Sequence, residues 1–231
     1  PERHVLRADH NFVLDSSAVP VAADLVMIGN PTNPTGVLHS RASLTALRRP
    51  DRTLVVDEAF MDAVPGEPES MIDASMEGLL VVRSLTKTWG LAGLRAGYAV
   101  GDPVFIAQLE AFQTPWSVSS LAAAVMVATA TPEAIAESEQ GTAHLGLWRE
   151  HLAGSLRRIG LDPVVGSAPF VLVQLGAGVH EALREAGFAV RRCDTFPGLD
   201  ETWVRIAARP QERVNVLVEQ IEQVRSRAHS A

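Results

Sequence analysis

An amine, a carboxylate and a carboxamide each stand shortly after an apolar run in this 231-residue sequence. If these runs are parallel strands, the three side chains emerge at the carboxyl edge of one sheet, where open α/β sheets bind ligands. The spacing therefore predicts a binding site and not a scatter of surface charge. The three residues are Lys87, Asp57 and Asn33, and the runs before them are 79–82, 54–56 and 25–28.

The lysine is the residue whose chemistry is most distinctive. Lys87 can act as a nucleophile when its pKa is low enough for part of the amine to be neutral. Burial or a neighbouring cation lowers a lysine pKa, and Arg83 and Arg95 are the nearest cations in the sequence. Formation of a Schiff base with pyridoxal phosphate is the best-known use of such a lysine.

That cofactor needs further partners, and the neighbouring residues offer them. Asp57 can keep the pyridine nitrogen protonated, and the amide of Asn33 can donate to the ring oxygen. Ser84, Thr86 and Arg95 can supply hydroxyls and a guanidinium to the phosphate. Each residue taken alone is more often an ordinary turn, cap or loop residue. Their shared position after predicted strands favours the cofactor site.

Composition and charge exclude several other classes of function. The formal net charge of −7 makes nucleic acid an unexpected partner. No apolar run approaches the length that spans a bilayer, and the amino end has no charged-then-apolar leader. Cys193 is the single cysteine, which excludes an internal disulfide and a cysteine-based zinc site and fits a reducing compartment. The dispersed histidines predict no metal site.

Periodicity predicts two kinds of architecture in succession. Strands that alternate with helices up to about residue 101 predict a parallel α/β sheet. A helical middle follows, in which an Ala/Val-rich helix at 119–130 is expected to be buried on all sides. The end of the chain predicts a compact α+β unit. The predicted strands are 24–29, 53–57, 79–85, 96–100, 170–175, 188–192 and 202–207, and the predicted helices are 40–49, 104–112, 119–130, 132–158, 179–186 and 210–227.

Four segments together resemble a known family. In their order and spacing they are similar to the signatures of the fold type I pyridoxal-phosphate enzymes called class I/II aminotransferases. The resemblance is to the histidinol-phosphate aminotransferase branch and to the related threonine-phosphate decarboxylases of cobalamin biosynthesis. The segments are Asn-Pro-Thr-Gly at 33–36, Asp-Glu-Ala-Phe at 57–60, Ser-Leu-Thr-Lys at 84–87 and Gly-Leu-Arg-Ala-Gly-Tyr at 93–98.

The resemblance implies an α/β fold of the pyridoxal-phosphate transferase type, with two domains. Residues 1–140 would be the carboxyl-terminal part of a large cofactor-binding domain with a mainly parallel sheet, and residues 141–231 a small α+β domain. Family members also carry a long segment before the loop of Asn33. The chain therefore resembles about the carboxyl-terminal two-thirds of such an enzyme.

The resemblance also implies a role for each candidate residue. Lys87 would carry pyridoxal 5′-phosphate and move protons at the substrate Cα, and Asp57 would pair with the pyridinium nitrogen. Asn33 would bind the ring oxygen, and the two hydroxyls and the guanidinium named above would hold the phosphate. Arg205 matches the family arginine that binds a substrate carboxylate or phosphate. Phe60 stands where histidinol-phosphate aminotransferases usually have a tyrosine that helps to bind the ring oxygen.

The implied activity is transamination of an amino acid or of a phosphorylated amine such as histidinol phosphate. The alternative is decarboxylation like that of threonine-phosphate decarboxylase, because the bond that breaks is the one perpendicular to the cofactor ring. A further alternative is an inactive fragment or binding remnant. The resemblance implies amine and 2-oxo acid substrates, a homodimer for full-length members, and a cytoplasmic location.

Overall fold

The computed structural model describes residues 2–72 and 75–229, which form two compact units. The first, here called the mixed-sheet unit, contains residues 14–31 and 38–142. The second, here called the antiparallel-sheet unit, contains residues 32–37 and the described residues of 1–13 and 143–231. The two units divide the predicted site residues between them.

The sheet of the mixed-sheet unit has four strands in the order β1-β2-β3-β4. The pairs β1·β2 and β2·β3 are parallel, as predicted, whereas β4 runs antiparallel to β3. The segment 85–96 between β3 and β4 contains no long crossover helix, and a parallel pair would need one. The strands are β1 Leu25–Gly29, β2 Thr53–Asp57, β3 Leu79–Ser84 and β4 Gly97–Gly101.

The helices α3, α4 and α5 follow the predictions, whereas α1 is shorter than predicted and α2 was not predicted. Ser40 caps α1 by accepting a hydrogen bond from the amide of Ser43 at 3.1 Å, but the helix has only five residues. The long helix α5 agrees with its predicted bounds and contributes residues to both units. The helices are α1 Arg41–Thr45, α2 Leu85–Thr88, α3 Pro103–Phe112, α4 Ser120–Thr129 and α5 Pro132–Arg158.

The central strands of the mixed sheet are anchored by side chains with no exposed surface. Leu54, Val56, Leu79 and Val81 are all fully buried, as expected for strands covered on both faces. Leu44, which follows the cap of α1, is buried in the same way. This packing fixes the strands whose carboxyl ends carry Asp57 and lead to Lys87.

The helices α3 and α4 are exposed, and the expectation that α4 is buried on all sides is wrong. Among its ten described residues only Ala122 is buried, and α3 has no buried residue in its own described span. Phe112 and Trp116, at and after the end of α3, are 89% and 97% exposed. Composition predicts what a helix can bury, but burial also needs a neighbouring surface, which the described residues do not give these helices.

The antiparallel-sheet unit has strand order β5-β6-β8-β7, with every pair antiparallel. Its core joins α5, α6 and α7 to this sheet through Leu152, Val173, Leu183 and Ile221. The predicted strand at 188–192 is reduced to two residues. The elements are β5 Val164–Val165, β6 Phe170–Gln174, α6 Val179–Glu185, β7 Arg191–Arg192, β8 Trp203–Ala207 and α7 Gln211–His229.

Within residues 2–72 and 75–229, no helix combines the length and the apolar character needed to cross a membrane.

Candidate functional site

Lys87 lies on α2, directly beyond the carboxyl end of β3. Ser84 ends the strand and caps the helix, with its Oγ accepting from the amide of Thr86 at 3.3 Å. Lys87 is exposed, and its Nζ lies 5.6 Å from the centroid of the Phe60 ring. An aromatic face at this distance attracts an ammonium group. The amine is therefore presented at the sheet edge and rests against one ring.

Lys87 is also the only lysine of the sequence. Of the 20 Lys and Arg residues, 19 are arginine. A guanidinium is always charged and cannot take the place of a primary amine in condensation with an aldehyde. The presence of a single lysine is therefore a second indication of amine chemistry in the sequence, independent of the spacing of the motifs.

Asp57 lies at the end of the neighbouring parallel strand. It pairs with Val82 in the register of β2 and β3, so both strands reach the same edge of the sheet within two residues. One carboxylate oxygen accepts a hydrogen bond from the amide of Ala59 at 3.0 Å, and the residue is exposed. The structure thus brings the aspartate and the lysine to one sheet edge through adjacent strands.

The three predicted phosphate ligands lie around the start of α2. The Ser84 and Thr86 hydroxyl oxygens are 2.8 Å apart. Arg95 is exposed in a left-handed conformation, with its guanidinium 3.4 Å from the carbonyl of Ala92. It stands two residues before Gly97, which pairs with Ser84 across β3 and β4. Two hydroxyls and a weakly bound guanidinium in this arrangement can accommodate an anion.

Arg83, which the sequence suggested as a cation near Lys87, is engaged elsewhere. Its side chain is 4% exposed and binds Glu58 at 2.9 Å, Asp62 at 2.9 Å and Glu67 at 2.5 Å. Burial alone would lower the pKa of Arg83, but the three carboxylates outweigh it and the pKa is raised. The charge of Arg83 is therefore matched by acidic partners within its own network. Arg95 remains the candidate cation.

Asn33 and Arg205, which belong to the antiparallel-sheet unit, contact each other. The Oδ1 of Asn33 accepts a hydrogen bond from Nη1 of Arg205. The Arg205 guanidinium carbon also lies 4.6 Å from the centroid of the Phe170 ring. Burial lowers the pKa of Arg205. The amide and the guanidinium are thus held as a pair, although they are 172 positions apart in the sequence.

Arg191 is a further candidate that the sequence predictions missed. It pairs directly with Arg205 in the register of β7 and β8. Its positive charge adds to the lowering of the Arg205 pKa, after the effect of burial. Like charges directly opposite each other destabilise a sheet unless something compensates them. A pair of this kind is suited to an anion with two negative charges.

The loop of Asn33 is held by a close backbone approach within the antiparallel-sheet unit. The amide of Ser167 donates to the carbonyl of Gly36 at 2.7 Å, and the amide of Gly36 donates to the carbonyl of Thr32 at 2.7 Å. A Cβ atom on Gly166 would overlap the Gly36 carbonyl and lie 2.6 Å from the amide nitrogen of Val37. Only glycine at 166 allows this approach.

We expect Gly166→Ala to destabilise the protein, because the added methyl group forces the loop of Asn33 away from residues 166–167. Overpacking of this kind costs about 1–3 kcal/mol in the free energy of unfolding. Denaturant unfolding followed by circular dichroism measures it. The matched control is Gly154→Ala on α5, where an added Cβ meets nothing within 4 Å and should be neutral or stabilising. Equal stability of the two variants would contradict the expectation.

The chain is similar to known proteins in both sequence and fold. The sequence model of the family described as aminotransferase class I and II matches residues 11–221. A histidinol-phosphate aminotransferase of Mycobacterium tuberculosis is 49% identical over 202 residues, which are 87% of this chain and 56% of that protein. The crystal structure of the histidinol-phosphate aminotransferase from Clostridium acetobutylicum has a TM-score of 0.82 at 25% identity, covering 95% of this chain and 70% of that one. The crystal structure of L-threonine-O-3-phosphate decarboxylase from Porphyromonas gingivalis has a TM-score of 0.73 at 25% identity, covering 87% and 64%.

The mainly parallel sheet, the family match and the structural likeness together place the chain in the class of fold type I pyridoxal-phosphate proteins. Within that class, the chain belongs to the aminotransferase class I and II family. It spans little more than half, 56%, of the length of the first curated relatives that it matches. Pyridoxal phosphate is the cofactor that membership of this family implies.

The described residues include the chemical groups that pyridoxal phosphate needs for binding. In the mixed-sheet unit, an amine could take the aldehyde, a carboxylate the ring nitrogen, and two hydroxyls with a guanidinium the phosphate. The residues are Lys87, Asp57, Ser84, Thr86 and Arg95. Phe60 contributes an aromatic face and no hydroxyl.

Proposed function

We propose that the protein is a pyridoxal-phosphate-dependent aminotransferase that acts on an amino acid or on a phosphorylated amine such as histidinol phosphate. The observation that carries the proposal is the position of Lys87, the only lysine among 20 Lys and Arg residues. It stands beyond β3, at the sheet edge where the neighbouring parallel strand ends in Asp57. Amine chemistry there requires lysine, because a guanidinium stays charged.

Each cofactor ligand then has a defined task. Bound pyridoxal phosphate supplies an aldehyde for an amine and a ring that accepts electrons from the substrate Cα. The Nζ of Lys87 would hold the cofactor through its aldehyde and, as a free amine, would move the proton at the substrate Cα. The carboxylate of Asp57 holds a proton on the ring nitrogen. Ser84, Thr86 and Arg95 bind the phosphate.

Two arginines are the proposed binding site for the substrate. Arg205 and Arg191 are a cross-strand pair of like charges, which favours a ligand with two negative charges over one with a single charge. A phosphate monoester has that charge near neutral pH. Asn33, whose Oδ1 accepts a hydrogen bond from Arg205, keeps only the role that the family resemblance implies, as a donor to the ring oxygen of the cofactor. The pair therefore supports a phosphorylated substrate.

We expect Arg205→Met to weaken binding of histidinol phosphate by about 10- to 100-fold, because a hydrogen bond to a charged group contributes ~1.5–3 kcal/mol. The dissociation constant can be measured by isothermal titration with the cofactor present. Arg192→Met is the matched control, because Arg192 is next to Arg191 on β7 but binds Asp194 at 2.7 Å. An equal loss in both variants would show only a general effect of positive charge.

A second candidate function is decarboxylation of a phosphorylated amino acid. It is supported by the likeness to L-threonine-O-3-phosphate decarboxylase, at a TM-score of 0.73. The arginine pair would suit the phosphate of either kind of substrate. The reaction is decided by which bond of Cα stands perpendicular to the cofactor ring.

The test supplies the protein and cofactor with histidinol phosphate and 2-oxoglutarate, and in a separate reaction with phosphothreonine. Formation of glutamate in the first reaction supports the aminotransferase. Release of carbon dioxide in the second, without glutamate in the first, supports the decarboxylase. Neither product, together with no visible absorbance band at millimolar cofactor, supports an inactive remnant and contradicts both enzymes.

Family membership and the net charge of −7 suggest further properties of the protein. We propose a homodimer in the full-length protein, amine and 2-oxo acid substrates, no nucleic-acid partner, and a cytoplasmic location. A boundary near residue 140, between the cofactor-binding domain and a small domain, also belongs to the proposal.

A further inference from the structure

The residue after Lys87 ties α2 to a distant loop of the mixed-sheet unit. The Oγ1 of Thr88 donates a hydrogen bond to Oδ2 of Asp62 at 3.1 Å. The other carboxylate oxygen of Asp62 accepts from Nη1 of Arg83 at 2.9 Å. Asp62 therefore connects the last residue of α2 to the buried guanidinium at the end of β3.

Asp62 itself is fixed from several sides. Its backbone carbonyl accepts a hydrogen bond at 2.8 Å from the hydroxyl of Thr142, a buried residue 80 positions away. Burial raises the pKa of Asp62, whereas Arg83 and Thr88 act in the opposite direction and favour the carboxylate. A carboxylate held in this way is a rigid point of attachment for α2.

The same loop also carries the ring on which Lys87 rests. Phe60 lies two residues before Asp62, and its ring centroid is 5.6 Å from Nζ of Lys87. One short segment thus supports the lysine amine through the ring and the backbone of α2 through the carboxylate. The helix has only four residues, too few to hold its own shape without such support.

We propose that Asp62 and Thr88 are positioning residues that fix the direction of the Lys87 side chain. This inference rests on the proposed function, in which Nζ must reach one carbon atom of the cofactor and later the substrate Cα. Proton transfer requires placement within hydrogen-bond distance, and small displacements cost rate. Arg83 acts one step further back, by holding the carboxylate of Asp62 in place.

The test removes the Thr88 hydroxyl and follows Lys87 in the absence of cofactor. Thr88→Val keeps the size of the side chain, and Thr88→Ser keeps the hydroxyl. Hydrogen exchange of the amides at 85–89 reports the order of α2. Reductive methylation with formaldehyde and cyanoborohydride reports the lysine, and peptide mass spectrometry separates Lys87, the only lysine of the sequence, from the terminal α-amino group.

In Thr88→Val we expect exchange at 85–89 to rise about tenfold, as loss of one hydrogen bond allows, and methylation of Lys87 to become several-fold faster. Thr88→Ser should behave as the parent protein. The control is Thr129→Val, whose hydroxyl binds the carbonyl of Val125 inside α4 and should leave Lys87 unchanged. Parent-like values in Thr88→Val, or equal changes in the valine and serine variants, would overturn the proposal.

A spectral readout separates this inference from the proposed function. With pyridoxal phosphate bound, Thr88→Val should shift the pH at which the absorbance of the cofactor changes, and Thr88→Ser should restore it. Absence of any band in the parent protein would count against the proposed function, while the exchange and methylation results would still decide the role of Thr88. If Thr88→Val does not fold, Asp62→Ala must reproduce the faster methylation, and a parent-like rate in that variant overturns the inference.

Discussion

Replacing Lys87 with alanine is expected to abolish the yellow absorbance band that the protein forms with pyridoxal phosphate. The expected loss is complete, because the sequence has no second lysine to substitute for the amine. Only the α-amino group at the chain terminus offers another primary amine. Visible spectra of the parent and the variant, recorded over a range of pH at equal cofactor, measure the effect.

Lys87→Arg is the sharper control for charge. It keeps a cation near the Phe60 ring, but a guanidinium does not condense with an aldehyde as a lysine amine does. We expect this variant also to lack the band. Reduction with borohydride followed by mass spectrometry should attach the cofactor to the peptide of Lys87 in the parent protein alone. If the absorbance band and the adduct were still formed in Lys87→Ala and Lys87→Arg, the cofactor would bind at another residue and the proposed function would be contradicted.

Replacing Arg83 with methionine is expected to lower the free energy of unfolding by about 3–5 kcal/mol, as breaking a buried ion pair by removing one partner does. Arg83 is 4% exposed and meets three carboxylates, of which that of Glu58 has no exposed surface. Methionine would fill much of the volume but leave Glu58, Asp62 and Glu67 without their shared cation. Denaturant unfolding at neutral pH measures the loss.

A surface pair provides the matched comparison for Arg83. Arg7 binds Asp9 at 3.0 Å, but both side chains are more than half exposed. Exposed pairs are screened by water and contribute little to stability, so Arg7→Met should scarcely change the unfolding midpoint. Arg83→Lys is expected to lie between the two, because an ammonium keeps the charge but cannot bind several carboxylates as a planar fork does. A loss in Arg83→Met no larger than in Arg7→Met would contradict the importance of this network.

The sequence allowed the parallel part of the sheet and its edge to be predicted, because buried strands there are continuous apolar runs that end in polar residues. The direction of β4 was not predicted, since Gly97–Gly101 shows a strand pattern that does not depend on direction. The partners of Arg83 were not predicted either, because Glu58, Asp62 and Glu67 reach its guanidinium only in the folded chain.

Other features depend on contacts between distant parts of the chain, which a single sequence does not reveal. The bond between Thr88 and Asp62 joins residues 26 positions apart, and Arg191 meets Arg205 only through strand register. The exposure of α4 could not be predicted either. An Ala/Val-rich composition is compatible with burial, but it does not show whether another part of the protein packs against the helix.

The uncovered side chains of α3 and α4 have a practical consequence for anyone who handles this polypeptide. A ten-residue helix is only marginally stable in water by itself. A large exposed apolar surface also promotes association with other apolar surfaces. We therefore expect the isolated chain to aggregate at high protein concentration and to bind fluorescent dyes such as ANS. Proteases should cleave it first between residues 103 and 129.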